Sequence, residues 1–181
     1  MPAEYTKSDG EKLLKLARES IEECFTKKKP VIPEGKQFKQ ARGVFVTLTE
    51  KGKLRGCIGF PHPEKSVSEA VAEAAKLSAF CDNRFIPIEK DKLKDIKIEI
   101  SILTNLEPVK NLKDIRVGKD GLMCNYLGYS GLLLPQVATE HNLNKIQFLE
   151  ALCEKAGLPK DTWQNKNFKL YKFQCQIFEE N

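Results

Sequence analysis

The stretch Leu54-Arg55-Gly56-Cys57-Ile58-Gly59 concentrates the groups best suited to chemistry in this 181-residue chain. Alternate residues of a β-strand share a face, so Arg55 and Cys57 stand together opposite Leu54 and Ile58. That places a cation beside a thiol, the setting in which cysteine acts as a nucleophile. Glycine inside a strand costs stability and marks close approach of a ligand or another backbone, and Gly56 and Gly59 flank the thiol. His62, five residues on, is a candidate base, although Pro61 and Pro63 on either side suit a rigid exposed turn. Two readings of Cys57 follow. It is a nucleophile or pocket-lining thiol, or it is a small apolar group packed in a core, the usual role of a free cysteine.

Asp82 and Arg84 follow a helical pattern and form either an ion pair that holds a loop or, through Arg84, a second arginine that joins Arg55 on a phosphate or carboxylate. Glu99 and Ser101 share one face of a strand. They offer acid–base chemistry, or they are simply polar groups on an exposed sheet face. The candidate site is therefore Cys57 and Glu99 as catalytic groups, with Arg55, Gly56, Asp82, Arg84 and Ser101 as substrate-binding groups. Leu134-Pro135-Gln136 and His141 put further polar groups near a turn. No GxGxxG, Walker, HExxH or GxSxG motif occurs, which removes those enzyme families. The six cysteines include no pair within four residues and there are only two histidines, so no metal site is expected and no cofactor is named by the residues.

The elements that must position these groups are read from periodicity. Residues 9–28 predict an amphipathic helix capped by Ser8 or Asp9, with a stripe of Leu13, Leu14, Ala17, Ile21, Cys24 and Phe25. Pro30 and Pro33 end it in a loop to residue 41. Residues 42–60 predict a hairpin turning at Glu50-Lys51-Gly52. Ser66 and Glu69 have capping-box spacing ahead of a slim, alanine-rich helix to residue 80. Ile96, Ile98, Ile100 and Ile102 alternate along the clearest strand, 96–103. Short strands are expected at 114–118 and 122–127 around Lys119-Asp120-Gly121, and Leu132-Leu133-Leu134 reads as a buried run. A helix at 144–156 has Asn144 as its cap and Gly157 at its end. A last strand spans 168–178, with a bulge expected where its alternation slips at 170–173. Hairpins without strict helix–strand alternation predict an α+β fold, a largely antiparallel sheet flanked by helices.

Composition bounds the rest. Hydrophobic residues at 41% and charged residues at 30% describe a globular chain and exclude disorder, collagen and coiled coil. No run approaches the ~20 apolar residues of a membrane helix, and Met1-Pro2-Ala3-Glu4 opens a polar tail unlike a signal peptide, so a cytoplasmic protein with no membrane partner is expected. The net charge of +5 is concentrated at 27–42, where Lys27, Lys28, Lys29, Lys36, Lys39 and Arg42 face Glu34 alone. That stretch is a solvated helix end, or a nucleic-acid footprint with Phe38 as a stacking face.

The LRGCIG hexamer at 54–59 resembles the hallmark of the AMMECR-type domain family, named after the AMME-syndrome chromosomal region. Further similar segments follow in order: Ala79-Phe80, Asp82, Arg84-Phe85 and Pro87; Glu99 to Leu103; Gly131 to Ala138; then Phe148-Leu149, Cys153, Ala156 to Pro159 and Trp163. The resemblance covers nearly the whole chain and implies a stand-alone, archaeal member. It implies one α+β domain over 1–181 with two lobes, the larger from both chain ends and the smaller from the middle. It brings no assigned reaction. Roles in transcription, translation, repair and nucleotide modification have been suggested for the family, and relatives fused or adjacent to Memo-like and radical-SAM proteins point to a modification pathway. The chain lacks the clustered cysteines of a radical-SAM centre. Three functions are then expected in order: an enzyme or accessory in nucleotide, RNA or protein modification with a small anionic ligand, a non-catalytic module for a protein partner, and a nucleic-acid-binding protein.

Overall fold

Val44, Val46 and Leu48 are wholly buried while Phe45 and Thr47 between them are half-buried, and this alternation builds the first sheet. A computed structural model describes residues 5–180; the polar tail at 1–4 lies outside the described residues. In chain order these form α1 (Lys7–Thr26), β1 (Val44–Glu50), β2 (Lys53–Phe60), α2 (Val67–Phe80), β3 (Ile96–Leu103), β4 (Glu107–Pro108), β5 (Gly121–Tyr126), β6 (Tyr129–Leu133), α3 (Pro135–Glu140), α4 (Lys145–Lys155), β7 (Lys169–Phe173) and β8 (Cys175–Glu179). The architecture is α+β, and its strands divide between two four-stranded sheets, ordered β2-β1-β3-β8 and β4-β7-β5-β6. Two compact units result: residues up to Leu103 together with Gln176 onward, and Thr104–Cys175.

In the first unit, α1 and α2 cover one face of the β2-β1-β3-β8 sheet. The N-cap of α1 is Thr6, with Asp9 three residues on completing a capping box, so neither Ser8 nor Asp9 is the cap. Cys24 is exposed rather than part of the buried stripe. Phe38 is wholly buried beneath the loop that precedes β1, which removes it as a stacking face. The hairpin turns through Lys51 (φ 51°) and Gly52 (φ 75°), the two positive angles of a tight primed turn. Ser66 and Glu69 cap α2 reciprocally, as their spacing predicts.

A bulge interrupts the hairpin. Leu48 pairs with Gly56 and Thr49 with Leu54, leaving Arg55 as the extra residue. The alternation predicted for this strand therefore fails before Gly56, and Leu54 is 42% exposed instead of joining Ile58 toward the core.

The C-terminal strand is latched by charge. Arg18 Nε and Nη2 donate to the two carboxylate oxygens of Glu180, and the guanidinium also donates to the Leu93 and Ile96 carbonyls. Glu180 Oε2 accepts from Ile98 N–H at 3.0 Å. Glu180→Ala leaves that N–H and Arg18 Nε without partners, while Nη1 and Nη2 keep the Leu93 and Ile96 carbonyls. It is expected to cost about 1–2 kcal/mol, read as a lower urea midpoint at constant slope; an unchanged midpoint would contradict the latch.

In the second unit, α3 and α4 pack on β5 and β6 around Leu122, Cys124, Phe148, Leu149 and Leu152. Burial pushes the Cys124 and Cys153 thiols up, as core cysteines require. No strand forms at 114–118. The buried Asp120 carboxylate accepts from Arg116 N–H at 2.8 Å and folds that stretch into a turn. The short helix α3, with Pro135 at its start, takes the place of a turn after the leucine run. The expected bulge at 170–173 is instead a change of sheet: β7 ends at Phe173 and β8 begins at Cys175 in the other sheet. Gln174 between them is held by Thr104 and Asp120.

Candidate functional site

The register of the first sheet sets a row across its face opposite the helices. Thr47 on β1 pairs with Cys57 on β2 and with Glu99 on β3, so the two catalytic candidates stand on either side of one threonine. Thr47 Oγ1 donates to Cys57 Sγ at 3.3 Å. All three residues are half-buried. The next row is Gly59–Phe45–Ser101.

Cys57 is held through its backbone. β2 is an outer strand, and at Cys57 its N–H and carbonyl are met by the loop after α2. Asp82 Oδ2 accepts from Cys57 N–H at 2.9 Å, and Arg84 Nη2 donates to the Cys57 carbonyl at 3.2 Å. The two side chains also grip each other: Arg84 Nε donates to Asp82 Oδ1 at 2.9 Å and Nη2 to Oδ2 at 2.7 Å. The pair thus does at one residue what a neighbouring strand would do. The Arg84 fork holds the Asp82 carboxyl well below the usual carboxylate range against the cost of burial, and the N–H groups of Cys57 and Arg84 add to it. Arg84 keeps its third nitrogen: Nη1 has no hydrogen-bond partner among the described residues, and the side chain is half exposed. The guanidinium carbon lies 5.3 Å from the Phe85 ring centre, which fixes its plane further.

Ser78 supports the same strand from the helix side. Its hydroxyl accepts from Ile58 N–H at 2.9 Å and donates to the Val46 carbonyl at 2.8 Å.

The structure redistributes the predicted roles. Gly56 is buried and faces α2: a Cβ built there would lie 2.0 Å from the Ser78 carbonyl oxygen, so its bare backbone admits a helix rather than a ligand. Asp82 has its oxygens committed to Cys57 and Arg84 and is a positioning residue, not a ligand contact. Ser101 is 1% exposed and its hydroxyl has no partner, so substrate does not reach it. Arg55 shares neither a β1 partner nor the Cys57 row. Its Nε lies 3.4 Å from Glu50 Oε2, and its Nη2 donates to the Ile86 carbonyl at 3.1 Å. His62 is exposed beyond the strand end and makes no bond to Cys57 among the described residues. Cys57 and Arg84 are thus brought together, Glu99 stands in the same row with Thr47 between it and Cys57, and Arg55 secures the loop that carries Arg84. Thr47, Ser78 and Glu50 were not predicted. Thr47 was not legible from the hairpin alone, whose two-residue turn would set it opposite Gly56; the bulge at Arg55 moves it opposite Cys57.

Among the described residues no group of three or more His, Cys, Asp or Glu is placed to hold a metal ion, and no helix is long and apolar enough to cross a membrane. The arrangement offers a thiol, a carboxylate two strands away in the same row, and a fixed guanidinium with two free N–H groups.

The AMMECR1 family model matches residues 14–178. A protein of Methanothermobacter thermautotrophicus is 45% identical over 99% of this chain and 98% of its own length. One of Pyrococcus abyssi is 42% identical over 94% of this chain and 90% of its own length. The crystal structure of an uncharacterized protein from Pyrococcus horikoshii superposes with a TM-score of 0.92 at 39% identity, covering 98% of this chain and 94% of that one. With the family model spanning nearly the whole sequence, the chain belongs to the AMMECR1 family.

Proposed function

We propose that the protein is an enzyme, or the accessory of one, in a nucleotide, RNA or protein modification pathway, and that it takes the anionic part of a small ligand on Arg84 beside the Cys57 thiol. The observation that carries this reading is the Asp82–Arg84 fork. It clasps the Cys57 peptide from both sides and leaves Arg84 Nη1 uncommitted. A guanidinium whose orientation is already fixed binds carboxylate or phosphate without ordering cost at the moment of binding. Glu99, on the far side of Thr47, supplies a group able to take or return a proton.

Differential alkylation tests it. Exposed Cys24 and Cys81 serve as internal references. Iodoacetate carries the charge that Arg84 would attract, and iodoacetamide does not. The ratio of iodoacetate to iodoacetamide rates at Cys57 is expected to exceed that at Cys24 and Cys81 by about tenfold, equivalent to roughly 1.4 kcal/mol, and to collapse in Arg84→Gln. Equal ratios at all three cysteines would remove the anion site.

A second reading, a module for a protein partner, is supported by Ile86 and Leu54. These are 79% and 42% exposed, and they lie at the two ends of the Arg55–Ile86 contact. It expects Cys57→Ser to leave function intact, whereas a nucleophile would be lost. Nucleic-acid binding keeps only the charge of 27–42, without the aromatic face.

A further inference from the structure

The solvent side of α1 carries Glu11, Lys15, Arg18 and Glu22 at helical spacing. Between this face and the end of β8 lies a groove of about 490 Å³ with Leu14, Glu11, Glu22 and Glu179 among its walls. Arg18 neutralises Glu180, and Lys15 pairs with Glu19 at 3.8 Å. Glu22 feels the charge of Arg18, which is already paired with Glu180, and Glu11 and Glu179 have no ion-pair partner among the described residues; five glutamates against Lys15 and Arg18 make the groove acidic in a chain whose net charge is +5.

The opposite end of the same helix is basic. The chain turns at Lys27 (φ 61°) into Lys27-Lys28-Lys29-Pro30-Val31-Ile32-Pro33. Val31 N–H donates to Glu19 Oε2 at 2.8 Å, so this loop runs back to the rim of the groove. Lys29 pairs with Glu23, while Lys27 and Lys28 have no anionic partner among the described residues. Val31 is 67% exposed and Ile32 57%, two large apolar side chains held in water between prolines.

One surface therefore bears an acidic groove and a basic, apolar-tipped loop. Glu11 and Lys27 are separated by sixteen residues of helix, roughly 24 Å. A patch whose two ends complement each other is self-complementary under a two-fold rotation. We infer that this surface binds a second copy of the chain, with α1 antiparallel to its counterpart. Lys27 and Lys28 of each copy then meet Glu11 and Glu179 of the other, and the two contacts close a symmetric dimer. Val31 and Ile32 leave water at its centre and anchor it.

Sedimentation of the full chain over a protein-concentration and salt series tests this. A dimer is expected at low salt, weakened at least about tenfold at high salt as the charge contacts are screened. The double variants Lys27→Glu/Lys28→Glu and Glu11→Lys/Glu179→Lys are each expected to sediment as monomers. An equimolar mixture of the two is expected to restore a dimer, because the reversed loop of one then faces the reversed groove of the other while the second contact keeps its original charges, and a folding defect would not be repaired this way. A monomeric wild type at low salt, a dimer that survives both reversals, or a mixture that stays monomeric would each overturn the inference.

Discussion

Gly56→Ala is expected to lower stability by about 3 kcal/mol or more. Its Cβ would sit 2.0 Å from the Ser78 carbonyl oxygen and 2.9 Å from the carbon behind it. Both atoms belong to the backbone of α2, so no side-chain rotation relieves the overlap. The helix must withdraw from β2, and it carries with it the Ser78 hydroxyl that joins Ile58 to Val46. Alanine's smaller chain entropy returns only about 0.5–1 kcal/mol. For a chain of this length the melting temperature should fall by roughly 6–12 °C. A fall of less than about 2 °C would show that α2 moves away cheaply, and the account of this glycine would be wrong. The result also separates two meanings of the LRGCIG string, since the loss here follows from packing and needs no ligand.

Asp82→Asn is expected to cost about 2–3 kcal/mol near neutral pH. The side chain of Asp82 is 4% exposed, and it accepts from Cys57 N–H as well as from Arg84. Asparagine keeps the shape but turns one acceptor into a donor and withdraws the counter-charge. The half-exposed Arg84 regains some hydration, which keeps the loss below that of a fully buried pair. The effect has a pH signature. Asp82 titrates lower in the folded chain than its unfolded value of about 3.9, so its contribution is complete above that value and is lost as pH falls below it. The gap between wild type and Asp82→Asn should therefore be full at pH 7 and shrink at about pH 3, measured by urea unfolding at both. A gap that stays constant, or grows toward acid, would show that the charge is not the stabilising group.

These effects lie where local and long-range information part. The capping box at Ser66 and Glu69, the cap at Asn144 and the register of β3 were legible, because each depends on residues a few positions apart. The row Cys57–Thr47–Glu99 was half legible: strand faces follow from alternation, but which strands are neighbours does not. Arg55 was misplaced because a bulge depends on the partner strand's register. Ser101 looked like part of an open polar face, yet it is buried, since polarity does not reveal what packs above a strand. The slip of alternation at 170–173 was visible, and its cause, a change of sheet at Gln174, was not.

By itself the sequence determined the helices and their caps, the alternating strands, the α+β class and the motif that identifies the family, all written in spacings of two to four residues. Only the tertiary structure decided that Gly56 serves a helix, that Asp82 and Arg84 clasp the Cys57 peptide, and that Phe38 is sealed in the core. Those facts join residues some 20 or more positions apart. Their pairing is set by which surfaces exclude water together, a property of the folded chain rather than of any short segment.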